Sequence, residues 1–211
     1  MKNATLIGLT GQTGAGKSTV CSLIENMGFI IIDADKVSRE VVDTDINCLA
    51  DLVMKFSCGI LNENGKLNRK RLASIVFSDP KQLVTLNKTI FPYITARIEK
   101  HIDELGQTNN NPVVVLDAPT LFESGIDMRC DYIVSVLAEK DIRIDRIIQR
   151  DGLSGKEAMQ RVNAQHEDSF YTERSNHIIY NNGDHEELKQ RTTEVFEYLL
   201  EKIAKENSEN A

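Results

Sequence analysis

One stretch near the start of the chain limits what it can fold into more than any other. Thr5-Leu-Ile-Gly-Leu9 reads as a buried strand, GQTGAGKST follows from Gly11 to Thr19, and Lys17 to Met27 has helical periodicity. The nine-residue segment fits the phosphate-loop pattern G-x-x-x-x-G-K-S/T at Gly11, Gly16, Lys17 and Ser18. A chance match in a glycine-rich turn has no reason to sit between a strand and a helix. Glycines let backbone N–H groups face an anion, and the helix N-terminus that follows favours negative charge. Gly11, Gln12, Thr13, Gly14, Ala15, Gly16, Lys17, Ser18 and Thr19 are therefore expected to hold a triphosphate. Lys17 should reach the β- and γ-phosphates and the Ser18 hydroxyl should ligate Mg²⁺. The loop alone does not say where the terminal phosphate goes.

The rest of the chain alternates strands and helices. Val20, Leu23, Ile24 and Met27 fall on one side of the first helix, and Gly28 sits where a helix C-cap belongs. Phe29-Ile-Ile-Ile32 reads as a strand covered on both faces. Asp35 to about Leu105 is mainly helical, with a turn at Asn62 to Lys66 and a helix start or kink at Pro92. Gly106 to Pro112 reads as a polar loop. Further strands are expected at Val113–Asp117, Tyr132–Leu137 and His177–Tyr180, and helices at Lys140–Arg150, Gly155–Gln165 and about Asp184–Lys205. The polar tail Lys205 to Ala211 should fray. The fold class that follows is α/β: a five-stranded parallel sheet, with ligands at the carboxyl ends of its strands. The expected division is a nucleotide-binding core over 1–34, 106–138 and 166–211, a helical insertion over 35–105 and a helical lid over 139–165.

Composition narrows the function. The 211 residues suffice for one α/β domain with an insertion. A net charge of −7 argues against a nucleic-acid duplex as partner, since duplex binding needs a basic face. No apolar run reaches the ~20 residues that span a bilayer, and MKNATLIGLT is too weakly apolar for a signal peptide, so a cytoplasmic protein with no membrane partner is expected. Cys21, Cys48, Cys58 and Cys130 have no C-x-x-C spacing and the four histidines form no H-E-x-x-H, so unpaired, mostly buried thiols are expected.

A GTPase switch needs N-K-x-D, and Asn87-Lys-Thr-Ile90 has Ile in the carboxylate position. Leu153-Ser-Gly-Lys156 is too short for a transporter signature, and the chain is small for a motor. Two features favour a kinase. Asp33-Ala-Asp35 closes the second strand. A carboxylate beside a polyphosphate is electrostatically costly unless it holds a metal or takes a proton, so Asp33 is the candidate base for an alcohol acceptor. Asp35 is more simply the cap of the next helix. Arg143, Arg146 and Arg150 recur at i, i+3 and i+7, and Arg161 follows a glycine-containing turn. Such a pair of helices suits a lid that neutralises charge on the transferring group, with Arg146 the leading candidate. Ion pairs with Asp141 and Asp145 on a solvated face are the alternative for any single arginine. Asp117, closing the third strand, is either a carboxylate holding the metal through water or an exposed strand end.

Taken in order, Gly8-Leu-Thr-Gly11 with the loop, Ile32-Asp-Ala-Asp35, Asp117-Ala-Pro-Thr-Leu-Phe-Glu123, Arg146-Ile-Ile-Gln-Arg-Asp151, Arg161-Val-Asn-Ala-Gln165 and Ile179-Tyr-Asn-Asn-Gly183 resemble the dephospho-coenzyme A kinase family over nearly the whole chain. The resemblance implies a phosphate-loop kinase core, a helical domain for the acceptor and a lid. It implies transfer of the ATP γ-phosphate to the ribose 3′-hydroxyl of dephospho-CoA, the last step of coenzyme A biosynthesis. It places Asp33, Lys17 and Arg146 among catalytic residues, Arg150, Asn181 and Gly183 toward the donor, and Thr10, Leu121 and Phe122 toward the acceptor. Leu121 and Phe122 could equally be core. Phe91-Pro92 departs from a frequent His-Pro, Pro119-Thr-Leu121 from Pro-Leu-Leu, and Thr13 and Ala15 from Ile and Ser. None of these removes a charge the mechanism requires. The rival readings are another nucleoside or nucleotide kinase on the same core, and a nucleotide-binding module without catalysis.

Overall fold

The computed structural model describes residues 4–108 and 111–209. They form two compact units, one within 1–31 and 110–211 and the other within 32–109.

The first unit is built on a five-stranded parallel sheet. Its strands are β1 (Thr5–Gly11), β2 (Ile30–Asp33), β3 (Val113–Asp117), β4 (Tyr132–Leu137) and β5 (His177–Tyr180), in the order β2-β3-β1-β4-β5. All seven residues of β1 are buried, as an apolar run covered on both faces must be. Its register with β3 runs from Thr5 opposite Val113 to Leu9 opposite Asp117, and with β4 from Ile7 opposite Tyr132 to Gly11 opposite Val136. The strand expected to end at Leu9 thus continues to Gly11, directly into the glycine loop. Helices α1 (Lys17–Asn26) and α9 (His185–Glu209) pack together, and Val20, Ile24, Phe196 and Leu199 join Ile7, Leu9 and Val136 in one core. Phe29 meets Phe196 edge-on, ring centroids 5.1 Å apart.

Helices α6 (Lys140–Asp151) and α7 (Gly155–Asn163) carry their own small core of Ile144, Ile147, Ala158 and Val162. Gly152, at φ 66°, ends α6, and Ser154 starts α7 with a capping box to Glu157. A five-residue helix, α8 (Asp168–Thr172), follows; periodicity over so few residues gives no sequence signal.

The second unit holds α2 (Ala34–Thr44), α3 (Ile46–Phe56), α4 (Arg69–Ser78) and α5 (Pro80–Thr108). Asp45 caps α3 by accepting from the N–H groups of Asn47 and Cys48, and Asn68 caps α4 through the Arg71 N–H. Of the two expectations for Pro92, a helix start is excluded, since it lies inside α5. The structure corrects one boundary here: α5 continues through the expected loop residues Gly106 to Thr108. The Thr108 hydroxyl holds that last turn by donating to the carbonyls of Glu104 and Leu105, at 3.3 and 3.1 Å. Asn109 and Asn110, in the same expected loop, lie outside the described residues.

The tail is also more ordered than its polarity suggested. α9 runs through Glu209, with Ile203 buried and Tyr132 donating to Glu206 at 2.7 Å; Asn210 and Ala211 lie outside the described residues. Of the four cysteines only Cys48 is fully buried; Cys21 and Cys130 are partly buried and Cys58 is exposed.

Candidate active site

Three parallel strands deliver the site. β1 ends in the loop, β3 ends at Asp117, and β4 leads into α6 with its arginines. The loop needs its glycines for two reasons at once. Gly14 and Gly16 sit at φ 78° and 98°, where a side chain is strained. A Cβ at Gly14 would also fall 2.8 Å from the Arg143 carbonyl oxygen, and one at Gly16 would collide with the Asn181 amide. α1 then begins at Gly16 with no side-chain cap and no acidic residue in its first turn. Its orphan N–H groups and positive dipole end remain available to an anion.

A cavity of about 540 Å³ opens over this loop. Its wall holds Gly11, Gln12, Thr13, Gly14, Gly16, Lys17, Ser18 and Thr19 of the loop, then Pro119, Arg146, Arg150, Arg161 and Gln165. Eight of the nine loop positions expected to surround a triphosphate thus share one wall with three of the four lid arginines. Ala15, the ninth, is turned into the core, its N–H donating to the Gln12 carbonyl at 3.1 Å.

Lys17 forms an ion pair with Asp117, both side chains about one-sixth exposed, so the carboxylate closing β3 lies at the loop lysine. Arg146 is held from behind. It donates to the backbone carbonyl of Asn181 at 3.0 Å and to the Asn181 side-chain oxygen at 3.2 Å. The Asn181 amide group in turn donates to the Ala15 carbonyl at 2.7 Å. One buried asparagine therefore sets the arginine against the loop, and burial pulls the Arg146 guanidinium below its ordinary pKa. Arg150 and Arg161 share one carboxylate. Arg150 grips Asp151 through two bonds of 2.7 and 2.9 Å, and Arg161 reaches it at 2.5 Å. The Arg150 hydrogen bond raises that guanidinium's pKa and holds the Asp151 carboxyl below the usual range.

Other expected site residues lie elsewhere. Arg143 is only 4% exposed; its backbone packs under Gly14 and its side chain is not on the cavity wall. The periodic face that placed it with Arg146 and Arg150 turns inward at the first turn of α6. Thr10 and Leu121 are both fully buried, so neither offers a surface to a ligand as placed. The Thr10 hydroxyl donates to the Pro119 carbonyl at 3.4 Å, and Leu121 fills the space above Gly8. Phe122 is half-buried and packs edge-on against Phe170, centroids 5.4 Å apart. Asn181 and Gly183 do not line the cavity; Asn181 is the bracket behind it, and Gly183 leads toward α9 against Glu187.

The division between the units falls within β2, and Asp33, on the second unit's side of it, ends that strand and is the N-cap of α2. Its side chain accepts from the Lys36 N–H at 2.9 Å, its other oxygen lies 3.4 Å from the Lys36 ammonium, and 30% of the side chain stays exposed. Asp35, expected in that capping position, falls in the first turn instead. The reason is local. Asp33 has extended backbone angles (φ −88°, ψ 107°) and the helix starts at Ala34, so only the residue 33 side chain reaches the first free N–H groups.

Three participants went unassigned in the sequence. Gln165 accepts from the Thr13 N–H at 2.7 Å, Asp168 from the Gln12 side-chain amide at 2.8 Å, and Asp151 clasps the arginines. Gln165 and Asp151 stood at the ends of recognised motifs, which was a usable signal. Asp168 had none.

A family model for dephospho-CoA kinase matches residues 5–187. The dephospho-CoA kinase of Moorella thermoacetica is 35% identical over 199 residues, covering 94% of each chain. That of Corynebacterium glutamicum is 35% identical over 189 residues, covering 90% of this chain and 96% of its own. Among solved structures, dephospho-CoA kinase from Campylobacter jejuni superposes with a TM-score of 0.69 at 27% identity, over 94% of this chain and 98% of its own. Among the described residues, no helix is long and apolar enough to cross a membrane.

Proposed function

The chain belongs to the dephospho-CoA kinase family, and from that premise we propose that it transfers the γ-phosphoryl group of ATP to the ribose 3′-hydroxyl of dephospho-CoA in the cytoplasm. The observation that carries the reading is the single cavity in which the loop and Lys17 share a wall with Arg146, Arg150 and Arg161. Phosphoryl transfer asks little of a protein beyond placing the donor and neutralising the equatorial oxygens. Both kinds of group line this wall.

In this reading the loop N–H groups and Lys17 bind the β- and γ-phosphates, and Lys17 exchanges Asp117 for the donor. Arg146, braced by Asn181, donates to the transferring group where charge develops. Asp33 accepts the proton of the 3′-hydroxyl as its oxygen bonds to phosphorus and the bond to the ADP oxygen breaks. The cap bond to Lys36 fixes that carboxylate's orientation, and its exposed part is open to the acceptor. Phe122 is the apolar residue toward the acceptor, with Leu121 acting from behind it as packing. Arg150 and Arg161 belong to a lid over 139–165, and the helical unit receives the acceptor.

The residues present fit a magnesium ion shared with the donor. Ser18 brings a hydroxyl to the wall and Asp117 a carboxylate at the loop lysine. Mg²⁺ in kinases takes one or two protein oxygens besides phosphates and waters, so no dedicated cage is needed. When bound, it supplies charge neutralisation on the β- and γ-oxygens.

Mass spectrometry of CoA formed from dephospho-CoA, ATP and Mg²⁺, with nucleosides and nucleoside monophosphates as parallel acceptors, tests the reading. CoA as the dominant product is expected. Turnover confined to another acceptor overturns the substrate, and no turnover with any acceptor leaves a binding module.

A further inference from the structure

Gln12 is the most constrained side chain of the loop. It is 3% exposed, its N–H donates to the Val136 carbonyl at 3.3 Å, and its own carbonyl receives the Ala15 N–H. Its side-chain nitrogen donates to Asp168 at 2.8 Å and to the His166 carbonyl at 3.3 Å. Both partners are acceptors, which fixes the orientation of the amide and leaves its buried oxygen without a hydrogen-bond partner. One step along the loop, the Thr13 N–H is taken by Gln165. The segment joining α7 to α8 thus holds the loop at two successive residues.

The Asp168 carboxylate also acts electrostatically on the root of α6. Arg143 is buried under Gly14, its Nε and Nη1 have no hydrogen-bond partner among the described residues, and Asp168 and Tyr171 are the charged and titratable neighbours that favour its cationic form. A buried guanidinium with unsatisfied donors is costly unless an anion stands near it. We propose that Asp168 is a positioning residue for the donor nucleotide: bonded to Gln12, beside the Gln165 bond to Thr13, it fixes the loop against the segment joining α7 to α8 so that the loop amides present a preformed cradle to the triphosphate. It touches no reacting atom and acts through Gln12.

The alternative is that Asp168 merely favours the start of α8, where an acidic residue suits the helix dipole. The two differ in what they do to each substrate. The inference rests on the kinase reading, so the test starts from direct binding. Calorimetric titration of Mg·ATP into the full chain gives Kd for wild type, Asp168→Ala, Asp168→Asn, Gln12→Ala and the double variant Gln12→Ala/Asp168→Ala. Loss of one hydrogen bond to a charged group predicts a rise in Kd of about tenfold for Asp168→Ala. Asp168→Asn keeps an acceptor for Gln12 and is expected to recover about half of that loss on a logarithmic scale. The double variant should be no weaker than the weaker single one, because both substitutions remove the same bond. In steady state the KM for ATP rises while the KM for dephospho-CoA stays within about twofold, as loss of donor positioning requires.

Equal Kd for wild type and Asp168→Ala overturns the positioning role while the kinase reading stands. Additive losses in the double variant overturn the route through Gln12. A wild-type chain that binds no Mg·ATP overturns both readings. Should Asp168→Ala not fold, as circular dichroism would report, the near-isosteric Asp168→Asn and the Gln12→Ala variant still decide the matter. Wild-type affinity in both then overturns the role.

Discussion

The helix starts of the helical unit and the helix start at the glycine loop are built in opposite ways. In the helical unit, α2, α3 and α4 each start at a residue whose side chain takes up free N–H groups: Asp33, Asp45 and Asn68. In the sheet unit, α1 starts at Gly16 with no side-chain cap, although it leaves the same orphan donors. A capped start stabilises the protein and is closed to ligands; an uncapped one forgoes about 1 kcal/mol and keeps its donors for an anion. The difference separates helix ends that hold the fold from the one proposed to receive the donor, where the glycine loop and the cavity wall adjoin the open N–H groups. Asp33 is the exception that joins the two roles, since it caps α2 and is also the proposed base.

That double role gives the prediction with the largest effect. Asp33→Asn keeps a side-chain oxygen able to cap, because Asn is as good an N-cap as Asp, but removes the proton acceptor. Turnover should fall by two or more orders of magnitude, on the scale of general-base loss, while the unfolding midpoint and the affinity for ATP hold. Steady-state kinetics beside a thermal melt separates the two roles. A lowered midpoint with near-normal turnover would reduce Asp33 to a cap.

A somewhat smaller effect is expected on the sheet side of the comparison. Arg146→Ala removes a donor aimed at the cavity and should lower kcat by about two to three orders of magnitude, as loss of an oxyanion donor does. It also leaves both oxygens of Asn181 without the arginine, so the Ala15 end of the loop loses a brace. Single-turnover rates at saturating ATP measure the chemical part apart from the binding part. Unchanged single-turnover rates would place Arg146 with the scaffold.

How much of this was legible follows from the range of the interactions. β1, the loop and α1 were readable because each is fixed by residues within a few positions of one another, and the motif couples them. The strands at 113–117, 132–137 and 177–180 stood out as short apolar runs between polar turns. What was not legible depended on contacts distant in sequence. Arg143 shares a periodic face with Arg146, yet it is buried where its backbone packs against Gly14. Leu121 belongs to a site-bearing motif, yet fills the space over Gly8. The cap of α2 fell to Asp33 rather than Asp35, because β2 ends at Asp33, one residue beyond the apolar run, and the helix starts at Ala34. Asp168 bonds a residue 156 positions away from a five-residue helix, and no local pattern announces such a contact.

The smallest expected effect tests whether the capped helices are only structural. Asp45 accepts from Asn47 N at 3.0 Å and Cys48 N at 3.1 Å, and no cavity over the glycine loop includes it. Asp45→Ala should cost about 1 kcal/mol, a fall of about 2–4 °C in melting temperature for a chain of this size. The Cys48 thiol is pushed up to about 11, first by burial and then by the nearby Asp45 and Asp51 carboxylates. Removing Asp45 therefore lowers it, and thiol alkylation at raised pH should quicken in the variant. Turnover and ATP affinity should match wild type. An equal loss in Asp33→Asn and Asp45→Ala would mean that the helical unit acts on catalysis through its stability alone, and the contrast between closed and open helix starts would lose its functional meaning.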